Sequence, residues 1–229
     1  ARHIAQSKEI SRSATGKHSA SQPASRQRVT AMARCNVYIH PTSLVETEHI
    51  GDNTRVWAYS HIMAGATIGA NCNIGEHCFI ESHVTVEDNV TIKNGCCLWE
   101  GITIGAGAFI GPGVIFTNDL YPRSPRLPEA ADRYRTKEWL VPTHVAEGAT
   151  LGAGAIIVAG CNIGAFATVA AGAVVTRSVP AHALMIGAPA RRRGWVCVCG
   201  RPLTRAGAEL SCPHCQRMFV LSGDTVVAR

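Results

Sequence analysis

Aliphatic residues recur at every sixth position through most of this chain, and this period constrains the fold more than any other feature. From Val56 onward, the residue two positions earlier in the repeat is small or β-branched, as at Thr54, Ala66 and Cys96. Residues two apart on a strand face the same way, so both positions line one core. The repeat positions of the first block are Leu44, Ile50, Val56, Ile62, Ile68, Ile74, Ile80, Val86, Ile92, Leu98, Ile104, Ile110 and Phe116.

Neither an α-helix, with its period of 3.6, nor an antiparallel hairpin explains a period of six with Gly, Asn and Asp between the hits. Such a repeat is typical of a parallel β-helix, in which short strands stack and turn at corners. In the left-handed form, three hexapeptides close a coil of about 18 residues. We therefore predict an all-β fold, a left-handed parallel β-helix of hexapeptide repeats.

A second block of repeats follows a break in the register. The separation of Phe116 from Val145 is not a multiple of six, so residues 117–144 must leave the β-helix and return. Long excursions from a compact repeat are usually functional or disordered. We expect a functional loop, because Asn118, Asp119 and Tyr121 give it polar and aromatic groups. The second block comprises Val145, Leu151, Ile157, Ile163, Val169 and Val175.

The formal charge of +6 is concentrated at the beginning of the chain. Residues 1–34 carry seven basic side chains and one acidic side chain, so the rest is formally neutral. This removes the compositional argument for a nucleic-acid-binding body.

The Ser/Arg-rich composition of the leader 1–34 predicts disorder, and two explanations of the leader stay open: an organellar transit peptide, or a true start of the protein at Met32. Without a long apolar run or a secretory signal, we expect a cytoplasmic protein with no membrane segment.

Stacking of 18-residue coils places each residue about 4.8 Å from the residue 18 positions away. The inward cysteines are then interpreted as core filling, since buried thiols behave as small hydrophobes. Cys97 instead points outward, in a column with His61, Phe79 and Ile115. This apolar column predicts a wall for a bound acyl arm or for a neighbouring subunit. The inward cysteines are Cys72, Cys78, Cys96 and Cys161.

Three side chains of the stretch "NGCCLWEGITI" fall beside corners, where side chains project freely. They are Asn94, Trp99 and Glu100. Glu100 lies in one column with Asn118, at the base of the excursion loop. A tryptophan beside a glutamate under an Asn-Asp loop is harder to explain as ordinary corner polarity, so we expect a substrate site there.

Four motifs carry a resemblance to a known family: "NGCCLWEGITI", "FIGPGVIFTNDLYPRS", "VWAYSHIMAGATIG" and "ALMIGAPARRRGW". With the repeats, they resemble the hexapeptide-repeat acyltransferase superfamily over about residues 38–195. The branch is that of enzymes that N-acetylate amino groups of nucleotide-activated sugars. The resemblance implies a homotrimer, with acetyl-CoA between adjacent β-helices and the nucleotide sugar beneath the loop.

The same resemblance implies roles for individual residues. Asn94 would orient the sugar near its amine, and Asn118 and Arg123 would belong to the substrate loop. From their positions in the sequence, we also expect substrate contacts from Trp99, Asp119 and Tyr121. Pantetheine and phosphates of acetyl-CoA would be held by backbone near small residues and by two arginines of the C-terminal coils. These positions are Gly154, Gly160, Ala171, Arg177 and Arg191.

The expected chemistry needs little base catalysis. A sugar amine loses its proton near neutral pH, so attack on a thioester mainly requires orientation and stabilisation of the oxyanion. Our hypothesis is that Glu100 and Asn94 position the amine while the departing CoA thiolate accepts the proton. His61 is a candidate for a direct role as a base, against a packing interpretation. His77 and His83 lie on successive corners and cannot share a proton relay.

The C-terminal segment carries two cysteine pairs, "CVCG" and "CPHC". Their spacing predicts a structural tetrahedral zinc site formed by Cys197, Cys199, Cys212 and Cys215. Gly200 permits a tight knuckle after the second ligand, although the first pair is one residue shorter than the common spacing. His214 could replace a thiolate, and disulfides are disfavoured in a cytoplasmic protein. We divide the chain into a leader 1–34, a β-helix 35–195 and a zinc-ribbon-like tail 196–229.

Other function classes stay open. They are O-acetylation of a sugar or small alcohol, a zinc hydro-lyase of the γ-carbonic anhydrase type, and a non-catalytic scaffold. Nucleic-acid binding by the ribbon is not expected, because the nearby arginines have a simpler use on the phosphates of CoA. The sequence identifies neither the sugar, the nucleotide nor the acyl chain length.

Overall fold

The computed structural model describes residues 36–206, 209–223 and 225–229. The basic leader, with the predicted disorder or transit peptide, lies outside these residues. Within the described ranges, none of the helices has the length and apolar character needed to cross a membrane.

The described residues form short strands that follow one another at nearly regular intervals. In chain order they are β1 Tyr38–Ile39, β2 Leu44–Val45, β3 Arg55–Val56, β4 His61–Ile62, β5 Thr67–Ile68, β6 Asn73–Ile74, β7 Phe79–Ile80, β8 Thr85–Val86, β9 Thr91–Ile92, β10 Cys97–Leu98, β11 Ile102–Ile104, β12 Phe109–Ile110, β13 Ile115–Phe116, β14 Thr143–Val145, β15 Thr150–Leu151, β16 Ile156–Ile157, β17 Thr168–Val169, β18 Val174–Val175, β19 Ala183–Ile186, β20 Arg191–Trp195, β21 Thr204–Ala206, β22 Glu209–Ser211, β23 Met218–Ser222 and β24 Thr225–Ala228.

Three sheets enclose a triangular prism, and from β3 to β16 every third strand belongs to the same sheet. Sheet A has the order β1-β3-β6-β9-β12-β15-β17-β19-β20, sheet B β18-β16-β13-β10-β7-β4-β2, and sheet C β14-β11-β8-β5. Pairing is parallel throughout, except that β20 reverses and pairs antiparallel with β19 at the end of sheet A. The predicted left-handed β-helix of hexapeptide repeats is confirmed.

The interior of the prism is built from the predicted repeat positions. Ile62, Ile74, Ile80, Ile92 and Leu98 are fully shielded from solvent. Burial of such a side chain contributes about 1.5–3 kcal/mol. Because each coil adds the same layers to its neighbour, the core runs continuously along the prism.

The second inward position of each repeat does more than fill space. Thr54 and Ser60 donate hydrogen bonds from their hydroxyls to the backbone carbonyls fifteen residues later, at distances of 2.7 Å. Cys72, Cys78 and Cys96 make the same bond from their thiols, at 3.1–3.2 Å. These buried cysteines therefore pack the core, as predicted, and also satisfy a corner carbonyl.

Corners of the prism require a left-handed backbone, which Gly and Asn adopt most readily. Asn71 and Asn89 have φ values of 56° and 61°. His77 and His83 fill equivalent corner positions, with φ of 55° and 63°. The two histidines thus lie on different corners, as predicted, which rules out a shared proton relay within one chain.

The register differs from the prediction at the first coil. Val45 pairs with Ile62 and points inward, whereas Leu44 pairs with His61 and is 55% exposed. The separation of Val45 from Ile62 is one residue short of the regular coil, so the assignment of Leu44 to the core was wrong. Because a strand alternates its faces, this single missing residue exchanges the inward and outward positions. The last coil is also shortened, since Thr168 pairs with Leu184.

The excursion leaves the prism after β13 and returns at β14, so the excursion loop comprises residues 117–142. It contains one turn of α-helix, α1 Pro128–Ala131, followed directly by a 3₁₀-helix at Asp132–Tyr134. On its return, Val145 pairs with Ile104 of sheet C. The loop therefore inserts between two stacked coils without disturbing their pairing.

The C-terminal residues form a fourth sheet, sheet D, with the antiparallel order β21-β22-β23-β24. Its small core contains Leu210, Phe219 and Val226, together with buried Cys197 and Cys212. Trp195 contacts both this cluster and the core of the prism.

Candidate active site and cysteine centre

Trp99 lies at the edge of the prism between sheets B and C, here called the B–C edge. Its indole Nε1 donates a hydrogen bond to the carbonyl of Phe116 at 3.0 Å. Its ring lies 5.6 Å from that of Phe79, centroid to centroid. Trp99 is half-buried, so it forms part of a fixed wall where the excursion loop begins.

Glu100 is held at the same edge by its backbone. Its N–H donates to Oε2 of Glu81 at 2.7 Å, and its carbonyl accepts from Nδ2 of Asn118 at 3.2 Å. Its carboxylate pairs with Nζ of Lys137, from the far arm of the loop. The predicted contact between Glu100 and the base of the loop is therefore present.

Asp119 organises the loop internally. Its carboxylate accepts two hydrogen bonds from Arg133, at 2.6 and 2.7 Å, and one from the hydroxyl of Tyr134 at 2.9 Å. The hydrogen bonds from Arg133 hold the pKa of Asp119 well below its usual range. The Asp119 side chain is only 10% exposed. The Asp119 side chain therefore makes its hydrogen bonds within the loop.

Two other predicted substrate residues project from the loop into solvent. Tyr121 is 75% exposed. Arg123 donates from its backbone N–H to the hydroxyl of Tyr134 at 2.9 Å, and its guanidinium donates to the carbonyl of Pro122 at 3.0 Å. Both side chains are accessible to a ligand.

Asn94 lies at a different edge of the prism, between sheets A and B, here called the A–B edge. Its side chain is exposed, and its Oδ1 accepts the backbone N–H of Glu76 at 3.2 Å. Strand β10 of sheet B separates it from Glu100. The structure therefore does not bring Asn94 and Glu100 together within one chain; the two residues flank the same face.

His61 lies on that face, on the outer surface of sheet B. Its Nε2 lies 3.4 Å from Oε2 of Glu46, an ion-pair distance without hydrogen-bond geometry to any described residue. Its ring contacts Phe79 edge-on, with 5.5 Å between centroids. Cys97 is two coils further along, so His61 lies about 10 Å from the level of Glu100 along the prism.

The outer surface of sheet B carries an apolar column, as the stacking predicted. Ile115 is 51% exposed within it. Burial raises the pKa of the Cys97 thiol, which argues against a thiolate nucleophile at this position. The outer apolar column comprises Leu44, His61, Phe79, Cys97, Ile115, Ile156 and Val174.

Comparison with known proteins gives matches over most of the prism. Residues 49–82 match the family described as bacterial transferase hexapeptide (six repeats), and residues 142–177 match the hexapeptide repeat of succinyl-transferase. A relative from Aneurinibacillus thermoaerophilus, the dTDP-3-amino-3,6-dideoxy-alpha-D-galactopyranose 3-N-acetyltransferase, is 54% identical over 162 residues. The alignment covers 71% of this chain and 80% of that protein. This chain belongs to the hexapeptide-repeat acyltransferases.

Solved structures give weaker matches to this acyltransferase. The acetyltransferase domain of PglB from Neisseria gonorrhoeae is 20% identical over 69% of this chain, with a TM-score of 0.45. A point mutant of perosamine N-acetyltransferase from Caulobacter crescentus, in complex with CoA and GDP-perosamine, is 25% identical over 70% of this chain, with a TM-score of 0.39. The chain spans 58% of the length of either structure, so the family assignment rests on the Aneurinibacillus relative.

The residues predicted to bind the cofactor divide between two edges of the acyltransferase. Gly154 and Ala171 lie at the A–B edge, whereas Gly160 and Arg177 lie at the B–C edge. The backbone N–H of Gly154 donates to Pro112 and that of Gly160 to the hydroxyl of Thr143, so neither is free for a ligand. Ala171 and Arg177 are exposed.

Arg191 begins the reversed strand β20. Its guanidinium donates to the carbonyl of Ala190 at 3.0 Å, and the side chain is exposed. The backbone N–H of Ala190 donates to Val174, which places this segment beside the last strand of sheet B. Arg191 therefore lies near the C-terminal end of the face that Asn94 and Glu100 flank.

The four cysteines of the C-terminal pairs converge at one point. Their sulfur atoms all lie within 4.8 Å of one another. Sγ of Cys197 is 3.4 Å from that of Cys215, and Sγ of Cys199 is 3.6 Å from that of Cys212. Tetrahedral Zn–S bonds of about 2.3 Å place sulfur atoms about 3.8 Å apart, so the arrangement fits a zinc ion.

The backbone around these cysteines supports metal binding. Gly200 follows the first pair with a φ of 80°, as the predicted knuckle requires, and Gln216 follows the second with 61°. Backbone hydrogen bonding from Cys215 lowers the pKa of Cys212 to about 6 and favours its thiolate, whereas burial raises the pKa of Cys197 to about 12 and favours its thiol when no metal is bound. His214 is exposed and lies outside the sulfur cluster.

Sequence reasoning missed the residues with which the loop holds itself. Arg133, Tyr134 and Lys137 contact Asp119 and Glu100 from the opposite arm. Leu140 packs so closely on Gly101 that a Cβ there would lie 2.6 Å from its Cδ2. No periodic pattern marks such pairs; the only sequence signal was the basic and aromatic content of "ADRYRTKEW" within the loop.

Proposed function

We propose that this protein transfers the acetyl group of acetyl-CoA to the amine of a dTDP-linked 3-amino sugar. The observation that carries the proposal is the 54% identity to a 3-N-acetyltransferase of such a sugar, over 80% of that enzyme. The accessible groups of the excursion loop and the fixed Glu100 support the same assignment. A different nucleotide is tested by the assay below.

In the proposed reaction the sugar nitrogen attacks the thioester carbonyl, a C–N bond forms, and the C–S bond then breaks. A protonated sugar amine first releases one proton to solvent; the neutral amine then loses one proton on attack and the departing thiolate of CoA gains one, so no protein base is needed. Asn94 and Glu100 orient the nitrogen, and polar groups of the loop hold the nucleotide sugar. Orientation of this kind contributes most of the rate enhancement when the nucleophile is already reactive.

A site shared between neighbouring subunits reconciles the positions of these residues. Asn94 lies at the A–B edge and Glu100 at the B–C edge of one prism, with the outer apolar column between them. Packing of sheet B against a neighbouring copy would bring the A–B edge of one chain to the B–C edge of the next. We therefore propose a homotrimer with acetyl-CoA in the cleft between prisms, near Ala171, Arg177 and Arg191.

The direct test is an assay of thiol release. The purified protein is mixed with acetyl-CoA and a panel of dTDP- and UDP-linked amino sugars, each paired with its hydroxyl counterpart. Release of CoA thiol with a dTDP-linked 3-amino sugar, and an N-acetylated product by mass spectrometry, is the expected result. Release only with hydroxyl sugars would indicate O-acetylation, and no release from a correctly assembled trimer would contradict the proposal.

Subunit sharing has its own test. Ile115 lies exposed in the middle of the outer apolar column, so Ile115→Asp places a charge in the proposed interface. We expect a monomer in sedimentation velocity and loss of acetyl transfer. A monomeric wild-type protein with full activity would contradict the shared site.

We also propose that the cysteine centre holds a structural zinc ion. All four ligands would come from the protein, which leaves no open position for catalysis. We propose that this zinc site belongs to a ribbon at residues 196–229. A reducing cytoplasmic location is consistent with a zinc site, since the sulfur atoms stay available as metal ligands only while they are reduced.

A further inference from the structure

The carboxylate of Glu100 is a fixed group at the B–C edge. Its backbone is anchored on both sides, by Glu81 and by Asn118. The side chain is 21% exposed, so it faces a partly desolvated space below the excursion loop. A carboxylate in such a position attracts a cation strongly, because water screens it only in part.

Lys137 now supplies that cation. Its Nζ contacts Oε1 of Glu100, yet its side chain is 64% exposed. The pair is therefore asymmetric: the acid is fixed and shielded, whereas the base reaches it from solvent on a flexible stem. An exposed lysine loses rotamer entropy in such a pair, so its net attraction is small and it can be displaced.

Lys137 is not needed to hold the loop in place. Asp119, Arg133 and Tyr134 form a closed network within it. The backbone N–H of Val141 donates to Asn118, and that of Thr143 donates to Gly101, which anchors the returning arm. Because these bonds hold the loop, its position does not depend on the contact of Lys137 with Glu100.

We infer that the ammonium group of Lys137 occupies the position on Glu100 that the ammonium group of the sugar substrate takes, so that Lys137 competes with amino sugars for Glu100. The inference rests on the proposed function. A protonated sugar amine can take the place of the Lys137 ammonium group on Glu100. One cation then replaces another, so the net charge of the site is unchanged. A hydroxyl group in the same place would leave Glu100 without a counter-ion, so a hydroxy sugar leaves Lys137 in place and its binding does not depend on this contact.

The test compares two ligands and five variants of the full-length protein. The ligands are dTDP-linked 3-amino-3,6-dideoxygalactose and its 3-hydroxy counterpart, with dissociation constants measured by calorimetry. Lys137→Met removes the competitor, so we expect the amino sugar to bind about two- to fivefold more tightly, the range that one exposed ion pair supplies. Binding of the hydroxy sugar should stay within about twofold of the wild type.

Lys137→Arg keeps the competing charge and should return the affinity for the amino sugar to the wild-type range. In a Glu100→Gln background the amino sugar should bind more weakly, and Lys137→Met should have no further effect. Arg135→Met is the matched control, because it removes another exposed loop cation that pairs with Asp132 rather than with Glu100. It should change neither affinity.

The outcomes separate this inference from the proposed function. If the wild-type protein neither binds nor acetylates any amino sugar, the proposed function fails. If it does both, but Lys137→Met weakens the two sugars equally, Lys137 holds the loop and the inference is wrong. Unchanged affinity for the amino sugar in Lys137→Met would overturn it as well.

Discussion

Cysteine performs two different tasks in the two folded regions of this protein. In the prism, Cys72, Cys78 and Cys96 point into a continuous core and donate their thiol hydrogens to corner carbonyls. In sheet D the sulfur atoms of four cysteines face one another across a few ångströms. The first arrangement uses the thiol as a small donor, whereas the second has the geometry of a metal site.

The difference follows from how much core each region can build. The prism adds a layer of aliphatic side chains with each coil, so its stability accumulates along the repeat. Sheet D buries few residues: Leu210, Phe219 and Val226 beside two of the cysteines. A core of this size rarely suffices on its own, and metals commonly supply the remainder. We therefore expect the same substitution to have very different effects in the two regions.

The largest expected effect is that of Cys212→Ser. Hydroxyl groups are poor zinc ligands, and structural zinc contributes about 10–16 kcal/mol to folding in small zinc domains. We expect the bound zinc, measured by plasma mass spectrometry, to fall from about one ion per chain to nearly none. Hydrogen exchange should then show that sheet D has lost its protection while the prism retains its own.

Cys78→Ser is the matched control. Serine already performs this task at Ser60, whose hydroxyl donates to Gly75 at 2.7 Å. The change should therefore leave zinc content unaltered and cost about 1 kcal/mol of stability. Equal zinc content in the wild type and in Cys212→Ser would show that the cysteine centre does not hold the metal.

A second pair of variants compares the apolar cores directly. Phe116 in the prism and Phe219 in sheet D are both almost completely buried. Replacement of Phe116 by Ala should cost about 3–5 kcal/mol in the denaturant unfolding of the prism, without changing zinc retention. Phe219→Ala should leave the main unfolding transition nearly unchanged, but chelators should remove zinc faster. Identical unfolding curves for the two variants would mean that both regions unfold as one unit.

The sequence predicted the regular part of this structure because its period of six repeats in every coil. It failed at the first coil, where Leu44 and Val45 are adjacent aliphatic residues and either could belong to the repeat. Only the pairing of Val45 with Ile62 distinguishes them. The cysteine centre was predictable for another reason, since metal-ligand spacing is local in the chain.

The candidate site was less accessible to sequence reasoning. Motifs identified Asn94 and Glu100, but not that they lie at opposite edges of one face. The partners of Glu100 and Asp119 come from the far arm of an irregular loop, at sequence separations that no rule fixes. Such contacts depend on the path of the loop, which neither periodicity nor local propensity determines.

The smallest expected effect concerns the excursion loop, which relies on neither a large core nor a metal. Asp119→Asn removes the charge that Arg133 and Tyr134 share, so we expect trypsin to cleave the loop about tenfold faster at pH 8. Cleavage elsewhere in the prism should not change. An unaltered cleavage rate would show that other contacts alone order the loop.

The pH dependence of the loop follows from the same carboxylate. Its pKa is lowered by Arg133, so the network stabilises the folded loop above the ordinary aspartate pKa of about 3.9. This contribution is lost only as the pH falls through the lowered folded-state value. Fluorescence of Trp139, whose ring lies 5.5 Å from that of Tyr134, reports the change in a variant with the other tryptophans replaced. We expect a constant signal from pH 8 to pH 5, because Asp119 stays ionised throughout that range; a transition within it would contradict the assignment of Asp119 as the carboxylate that holds the loop.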